Sequence, residues 1–282
     1  MADKDGMFMG NNYLIAVDLE GIHGVVGEPY HALVDGYEYD LAVKNAIKEI
    51  NAVAKALFDS NAATVAVWDN HGNGNNIDFF ALDSRVVRVY NNTSGRFSRF
   101  NFQCDIPFDG VFYLGYHARA GTLNGVLSHT YSSKNIQYYK INGKQTGEFE
   151  FDSFIAAEKG IPALFIASDE ACVNQVREIL PDIDYVVTKY GQGRNSAVFI
   201  EEENILQSLY EGACVAVQKK PKPLNLQFPC KLEARYTRME DAEKALQFLQ
   251  SIEIDASYGN DTHTILMTAS NVAQLESFLW CK

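Results

Sequence analysis

The chain has 282 residues, 47% of them hydrophobic and 21% charged, enough to bury one large core or two smaller ones. Its formal net charge of −12 excludes a general nucleic-acid binder, which needs a basic face, and a surface adapted to anionic membranes. Five cysteines (Cys104, Cys172, Cys214, Cys230 and Cys281) are odd in number and never at CxxC spacing, so the expectation is reduced thiols in a cytoplasmic protein rather than a disulfide framework or zinc ribbon.

Neither a basic leader followed by an apolar stretch nor an 18-residue apolar run occurs, so no signal peptide and no transmembrane helix are expected. The first expected strand is YLIAV, 13–17, which runs into Asp18, Leu19, Glu20 and Gly21. Apolar residues at helical spacing, from Leu41 and Ala42 to Ala54 and Leu57, predict a helix over 39–60. Strands are expected at 64–68, 86–90 and 110–115. Residues 136–141 with Asn142-Gly143 read as a hairpin. A helix over 149–159, a strand at 163–167, a helix over 170–180 and a strand at 185–188 follow. Strands alternating with helices predict an α/β fold, a mostly parallel sheet with helices on both faces.

The stretch KKPKPLN, 219–225, is charged and carries two prolines without periodicity, and reads as a linker. After it the pattern is strand (227–236), helix (240–249), strand (252–258), strand (262–267) and helix (271–280). The expected division is therefore an α/β catalytic domain over 1–200 and a smaller α+β domain over 201–282.

Three expected strands of the first region end alike. The first ends in Asp18 and Glu20, the second in Asp69 and His71, and the "FYLGYHARA" strand in His117. In an open parallel sheet, the carboxyl ends of the strands form the binding crevice. Carboxylates and imidazoles without cysteine suit zinc, manganese or a similar divalent ion. Taken singly, an Asp after a strand is ordinarily a turn former or helix cap, and a His there a hydrogen-bonded structural residue; both readings stay open on spacing alone.

The ordered set "DLEG" (18–21), "WDNHG" (68–72), "LGYHARA" (114–120), "GVLSH" (125–129) and "INGKQTGE" (141–148) resembles the zinc D-aminopeptidases. These are self-compartmentalising metallopeptidases known from a bacterial dipeptide-transport operon. The resemblance runs from about residue 13 to 200 and more faintly through "GRNSAV" (193–198). It implies two divalent metal ions per subunit, zinc, held by Asp18, Glu20, His71, His117 and Glu148, with Asp18 bridging. It implies His129 as the catalytic histidine, short peptides as substrates, some containing D-amino acids, and a homo-oligomer, a decamer. Spacing alone singles out neither Glu148 nor His129.

Departures from the family pattern touch the pocket. Asn70 stands where family members carry Ser, "GTLNG" (121–125) is one residue longer, and Glu150 and Asp152 replace Gly and Asn. Arg119, Arg194 and Asn70 are candidate substrate contacts, the arginines by a bidentate fork on a carboxylate; a surface ion pair is the alternative. Two other functions stay open: a dinuclear metallohydrolase for another amide or a phosphoester, and a non-catalytic metal-binding assembly protein. His23, His31 and His263 match nothing in the family, and the glycine-rich 191–196 loop lacks a P-loop lysine.

Overall fold

A computed structural model describes residues 10–27, 37–90, 99–102 and 104–279. Strand β1 (Asn12–Val17) leads to helix α1 (Tyr37–Asp59), β2 (Thr64–Asp69), β3 (Val87–Val89) and β4 (Gly110–Leu114). The hairpin β5 (Ile136–Ile141) and β6 (Lys144–Thr146) precedes α2 (Glu148–Glu158), β7 (Ala163–Asp169), α3 (Glu170–Ile179), β8 (Asp184–Gly193), β9 (Ser196–Phe199) and α4 (Glu202–Ala216). The chain ends with β10 (Cys230–Tyr236), α5 (Met239–Ser251), β11 (Ala256–Tyr258), β12 (Thr264–Ala269) and α6 (Val272–Leu279). The expected α/β fold is the fold observed.

Seven strands form one sheet in the order β3-β2-β1-β4-β7-β8-β9. All pairs are parallel except β8 with β9. Strands β1, β2, β4 and β7 are buried at every position, which requires cover on both faces. Alternate residues point to opposite faces. Tyr13, Ile15 and Val17 join the core made with α1 and α4, through side chains such as Ile50, Val53, Ile205 and Leu209. Leu14 and Ala16 join the opposite core, shared with α2, α3 and the second sheet. Helix α2 shows no polar face; even Glu148, Glu150 and Asp152 are buried.

The second sheet is antiparallel, in the order β11-β12-β10-β5-β6. It takes β5 and β6 from before the 219–225 linker and β10 to β12 from after it. Helix α4, although it follows residue 200, packs on α1 and on the first sheet.

Local chemistry moved several element ends. Ile254 N–H donates to Leu249 O and Glu253 takes a φ of 62°, so α5 closes over residues expected to begin a strand. Strand β8 runs on to Gly193 and returns as β9, so the glycine-rich 191–196 segment is a hairpin with no phosphate loop. Among the described residues, Cys104, Cys172, Cys214 and Cys230 are free thiols; Cys281 and His31 lie outside the described residues. No described helix is long and apolar enough to cross a membrane.

Candidate metal centre

The chain leaves β1 for β2 and β3 on one side, while β4, β7 and β8 lie on the other. Strand order therefore reverses between β1 and β4, and such a switch point opens a crevice at the carboxyl ends of the strands. Asp18 and Glu20 follow β1, His71 follows β2 and His117 follows β4, so all four emerge at this crevice. Two further residues reach it from elsewhere. Glu148 opens α2, where the positive end of the helix dipole favours a carboxylate. His129 arrives on the irregular segment between β4 and β5.

Two glycines let the β1 and β4 loops meet. Asp18 N–H donates to Leu114 O at 2.8 Å and Gly21 N–H to Gly115 O at 2.7 Å. A Cβ on Gly21 would stand 2.0 Å from Tyr116 O, and one on Gly115 would stand 2.0 Å from Asp18 O. Gly115 also has φ +72°, a region that disfavours any side chain. Gly115→Ala is expected to cost at least about 2 kcal/mol from backbone strain and overpacking together. Thermal denaturation of the variant checks this, and an unchanged melting temperature would contradict the close approach.

Six side chains then face one another. His117 Nε2 lies 3.2 Å from Glu148 Oε1 and 3.7 Å from Asp18 Oδ2. His71 Nε2 lies 3.6 Å from Glu20 Oε1, and His129 Nε2 lies 3.7 Å from Glu20 Oε1 and 3.9 Å from Glu148 Oε1. The His117 and His129 rings stack with centroids 4.0 Å apart. Three overlapping groups bring ligand atoms within 4.8 Å of one another: Asp18 with Glu20 and His71, Asp18 with His117 and Glu148, and Glu20 with His117 and His129.

The hydrogen bonds around this cluster leave several of its inward atoms free, although Glu148 Oε1 accepts Tyr131 N–H at 2.6 Å. His117 Nδ1 sits 3.1 Å from Ala118 O and His129 Nδ1 sits 2.8 Å from Leu127 O. A carbonyl only accepts, so both Nδ1 atoms carry hydrogen and each neutral ring presents an Nε2 lone pair inward. Among the described residues, Glu20 Oε2 and His117 Nε2 are buried with no hydrogen-bond partner. Buried polar atoms are normally satisfied. Unpaired oxygen and imidazole nitrogen atoms, side by side and with no sulfur donor, fit a divalent cation.

Charge tells the same story. Burial, with Glu20 beside it, raises the Asp18 carboxyl well above its usual range. Burial also pushes against ionised Glu20 and Glu148, but imidazoles outweigh it: His71, His117 and His129 hold Glu20 well below the usual range, and His117 and His129 help bring Glu148 to about 2. Burial opposes charge on His71 and His117 too, yet Glu20 and Asp18 raise His71, and Glu148, Glu20 and Asp18 raise His117, each to about 10. His129 moves the other way, lowered by burial and by its neighbour His117. Without another cation the carboxylates make two rings hold protons; a metal ion can take the place of those protons.

The family model described as D-aminopeptidase matches residues 12–280. The chain belongs to the D-aminopeptidase family. It is a peptidase of that family, hence a hydrolase. A curated D-aminopeptidase of Bacillus subtilis (strain 168) is 27% identical over 212 residues, which cover 74% of each protein. A solved structure of a Zn-dependent D-aminopeptidase, DppA from Bacillus subtilis, a self-compartmentalizing protease, superposes with a TM-score of 0.82 over 95% of both chains at 23% identity.

Two residues expected to depart from the D-aminopeptidase pattern, Asn70 and Asp152, are physically coupled. Asp152 is fully buried and pairs with Arg99 through both carboxylate oxygens. It also accepts from Tyr116 Oη at 2.6 Å and from Asn70 Nδ2 at 3.2 Å. Asn70 Oδ1 closes the network by accepting from Arg99 Nη2 at 2.6 Å. Arg99 and Asp152 therefore hold Asn70, the residue next to His71. Glu150, also expected to depart, turns back to accept Gly147 N–H at 3.1 Å.

The arginines expected as substrate contacts have protein partners. Arg119 lies 3.4 Å from Glu150 and 3.9 Å from Glu178. Arg194 Nε lies 3.4 Å from Ser128 O, beside His129. His23 turns from the cluster: its Nε2 is 2.8 Å from Ile200 O and its ring packs edge-on against Phe199. Sequence reasoning missed Arg99, Glu49 and Lys189. Glu49 had a signal, since it falls on the apolar stripe of α1 between Ala46 and Ile50, and it is buried. Lys189 directly follows the apolar stretch of β8 and is fully buried.

Proposed function

We propose that this chain is a metal-dependent aminopeptidase removing the N-terminal residue of short peptides, including peptides with D-amino acids. The observation that carries the reading is the convergence of Asp18, Glu20, His71, His117, Glu148 and His129 at the switch point, with Glu20 Oε2 and His117 Nε2 buried and unpaired. Asp18, Glu20, His71, His117 and Glu148 would hold two divalent ions, which we assign as zinc. Asp18, Glu20 and His117 each belong to two of the ligand groups. Bound there, the ions supply Lewis acidity to the scissile carbonyl and lower the pKa of a water.

The protein's own part is proton handling and placement. His129 is neutral at pH 7, because burial and His117 lower its pKa, and its Nε2 lone pair faces the cluster. It can take a proton there and return it to the leaving amine. The acidic cluster suits the cationic amino terminus of a peptide. A panel of D- and L-aminoacyl and phosphoester chromogenic substrates, with added zinc or manganese, tests the reading. Turnover of aminoacyl substrates supports it, and turnover of phosphoesters alone overturns it.

Metal uptake should release protons. In the metal-free protein His71 and His117 stay protonated up to about pH 10, whereas ligation needs neutral rings. Apparent affinity is therefore expected to rise with pH, about tenfold per unit for each proton released. Titration of zinc into buffers of different ionisation enthalpy measures the release; none at pH 7 would contradict this charge arrangement.

The resolved relative is a self-compartmentalizing protease, and we assign this chain to a homo-oligomer, a decamer of stacked pentamers, with the sites facing an internal chamber. Closed symmetry is the usual solution for such assemblies. Light scattering is expected to give a mass near ten chains, and a monomer mass would refute the assignment.

A further inference from the structure

We propose that Lys189 is a positioning residue of the metal centre: its buried ammonium fixes the loop that carries Glu20 by capping three of that loop's carbonyls. The inference rests on the reading of Glu20 as a metal ligand. Lys189 lies in β8 with no exposed surface. Its Nζ donates to the carbonyl oxygens of Glu20, Ile22 and Val25 at 2.5, 2.8 and 2.7 Å. An ammonium has three hydrogens and no acceptor, so all of its donors are spent on one loop.

A lone buried cation is costly, and a loop in the interior leaves carbonyls with no ladder to join. Here each need answers the other. The rest of the loop is tied by single bonds. Thr188 Oγ1 donates to Gly21 O at 2.6 Å, His23 N–H donates to Glu49 Oε1 at 2.7 Å, and Asn45 Nδ2 donates to His23 O at 3.0 Å. Among the described residues, Lys189 alone bonds to carbonyls at both ends, Glu20 and Val25. It donates to the main chain of Glu20 while the Glu20 carboxylate faces His71 and His129. It therefore acts through the backbone and not on the reacting atoms. The same strand braces the other side of the centre, since just beyond β8 Arg194 O accepts Leu127 N–H at 2.8 Å, two residues from His129.

The test uses the full chain with Lys189→Ala and Lys189→Arg. Zinc affinity is measured by competition with a chromogenic chelator, and amide hydrogen exchange over 20–25 is measured without metal. Lys189→Ala is expected to bind zinc at least tenfold more weakly and to exchange faster across the loop. n-Propylammonium, which replaces the lost stem and its N–H donors, is expected to restore part of both; tetramethylammonium at the same ionic strength is not. Unchanged affinity and exchange would overturn the inference. So would losses that n-propylammonium does not repair or that tetramethylammonium repairs equally, because the effect would then be general destabilisation. If Lys189→Ala does not fold, Lys189→Arg decides. It keeps the charge, but its planar fork cannot cap three converging carbonyls, so a folded Lys189→Arg with unaltered affinity and exchange also overturns the inference. Loop exchange that responds as expected in a protein taking up no zinc would remove the metal reading and leave the loop-positioning role standing.

Discussion

His129→Ala is expected to keep its metal and to lose kcat by about 10²-fold or more, the usual contribution of a general acid–base, with KM little changed. His71→Ala should behave differently, losing metal and recovering part of its activity when metal is supplied in excess. The contrast follows from placement. His71 faces Glu20 at 3.6 Å within a group that also includes Asp18, whereas His129 lies 3.7 Å from the same oxygen but stacks on His117, which with burial lowers its pKa and keeps it neutral. His129 also belongs to a ligand group with Glu20 and His117, so metal analysis of the variant is the deciding measurement. A fall in metal content would make His129 a ligand. Normal turnover per metal-loaded site would remove it from the mechanism. A parallel loss of melting temperature and activity, with normal kcat in the folded fraction, would make it a packing residue.

The second large effect concerns Asp152. Asp152→Ala would leave Arg99 charged and buried, held among the described residues by Asn70, the rings of Trp68 and Tyr131, and the bond from its backbone N–H to Glu276. Breaking one side of a buried ion pair costs about 3–5 kcal/mol, and Tyr116 and Asn70 would lose their shared acceptor as well. A clear drop in apparent melting temperature is therefore expected, measured at fixed protein and metal concentration. Replacing both partners, Asp152→Leu with Arg99→Met, should recover most of the loss, since an apolar pair of similar volume is often neutral or better. A loss below about 1 kcal/mol in Asp152→Ala would show that Arg99 reaches water and that the network carries little. Zinc affinity of the same variants reads out how far Asn70 steadies His71.

Local pattern carried much of the fold because the first sheet is parallel and covered. Its strands read as short apolar runs, and α1 as a 3.6-residue stripe. The residues placed by strand ends, Asp18, Glu20, His71 and His117, were legible for the same reason: parallel strands deliver their carboxyl ends to one edge. Glu148 and His129 were not. One opens a helix and the other sits in an irregular segment, positions where an acid or an imidazole is ordinarily solvated. Only the ordered motifs of the D-aminopeptidases pointed to them.

Contacts between distant segments decided the rest. That β5 pairs with β10 brings together residues such as Lys140 and Glu233, 93 positions apart, which no local period encodes. Asn70 and Asp152 read as separate pocket changes until Arg99 joined them. Lys189 and Glu20 lie 169 residues apart, and an isolated lysine after an apolar run does not announce which carbonyls it will cap. Sequence by itself determined an α/β chain with carboxylates and imidazoles at its strand ends. Tertiary structure decided which of them meet and what holds them there, because burial and long-range hydrogen bonding are properties of the packed chain and not of any window along it.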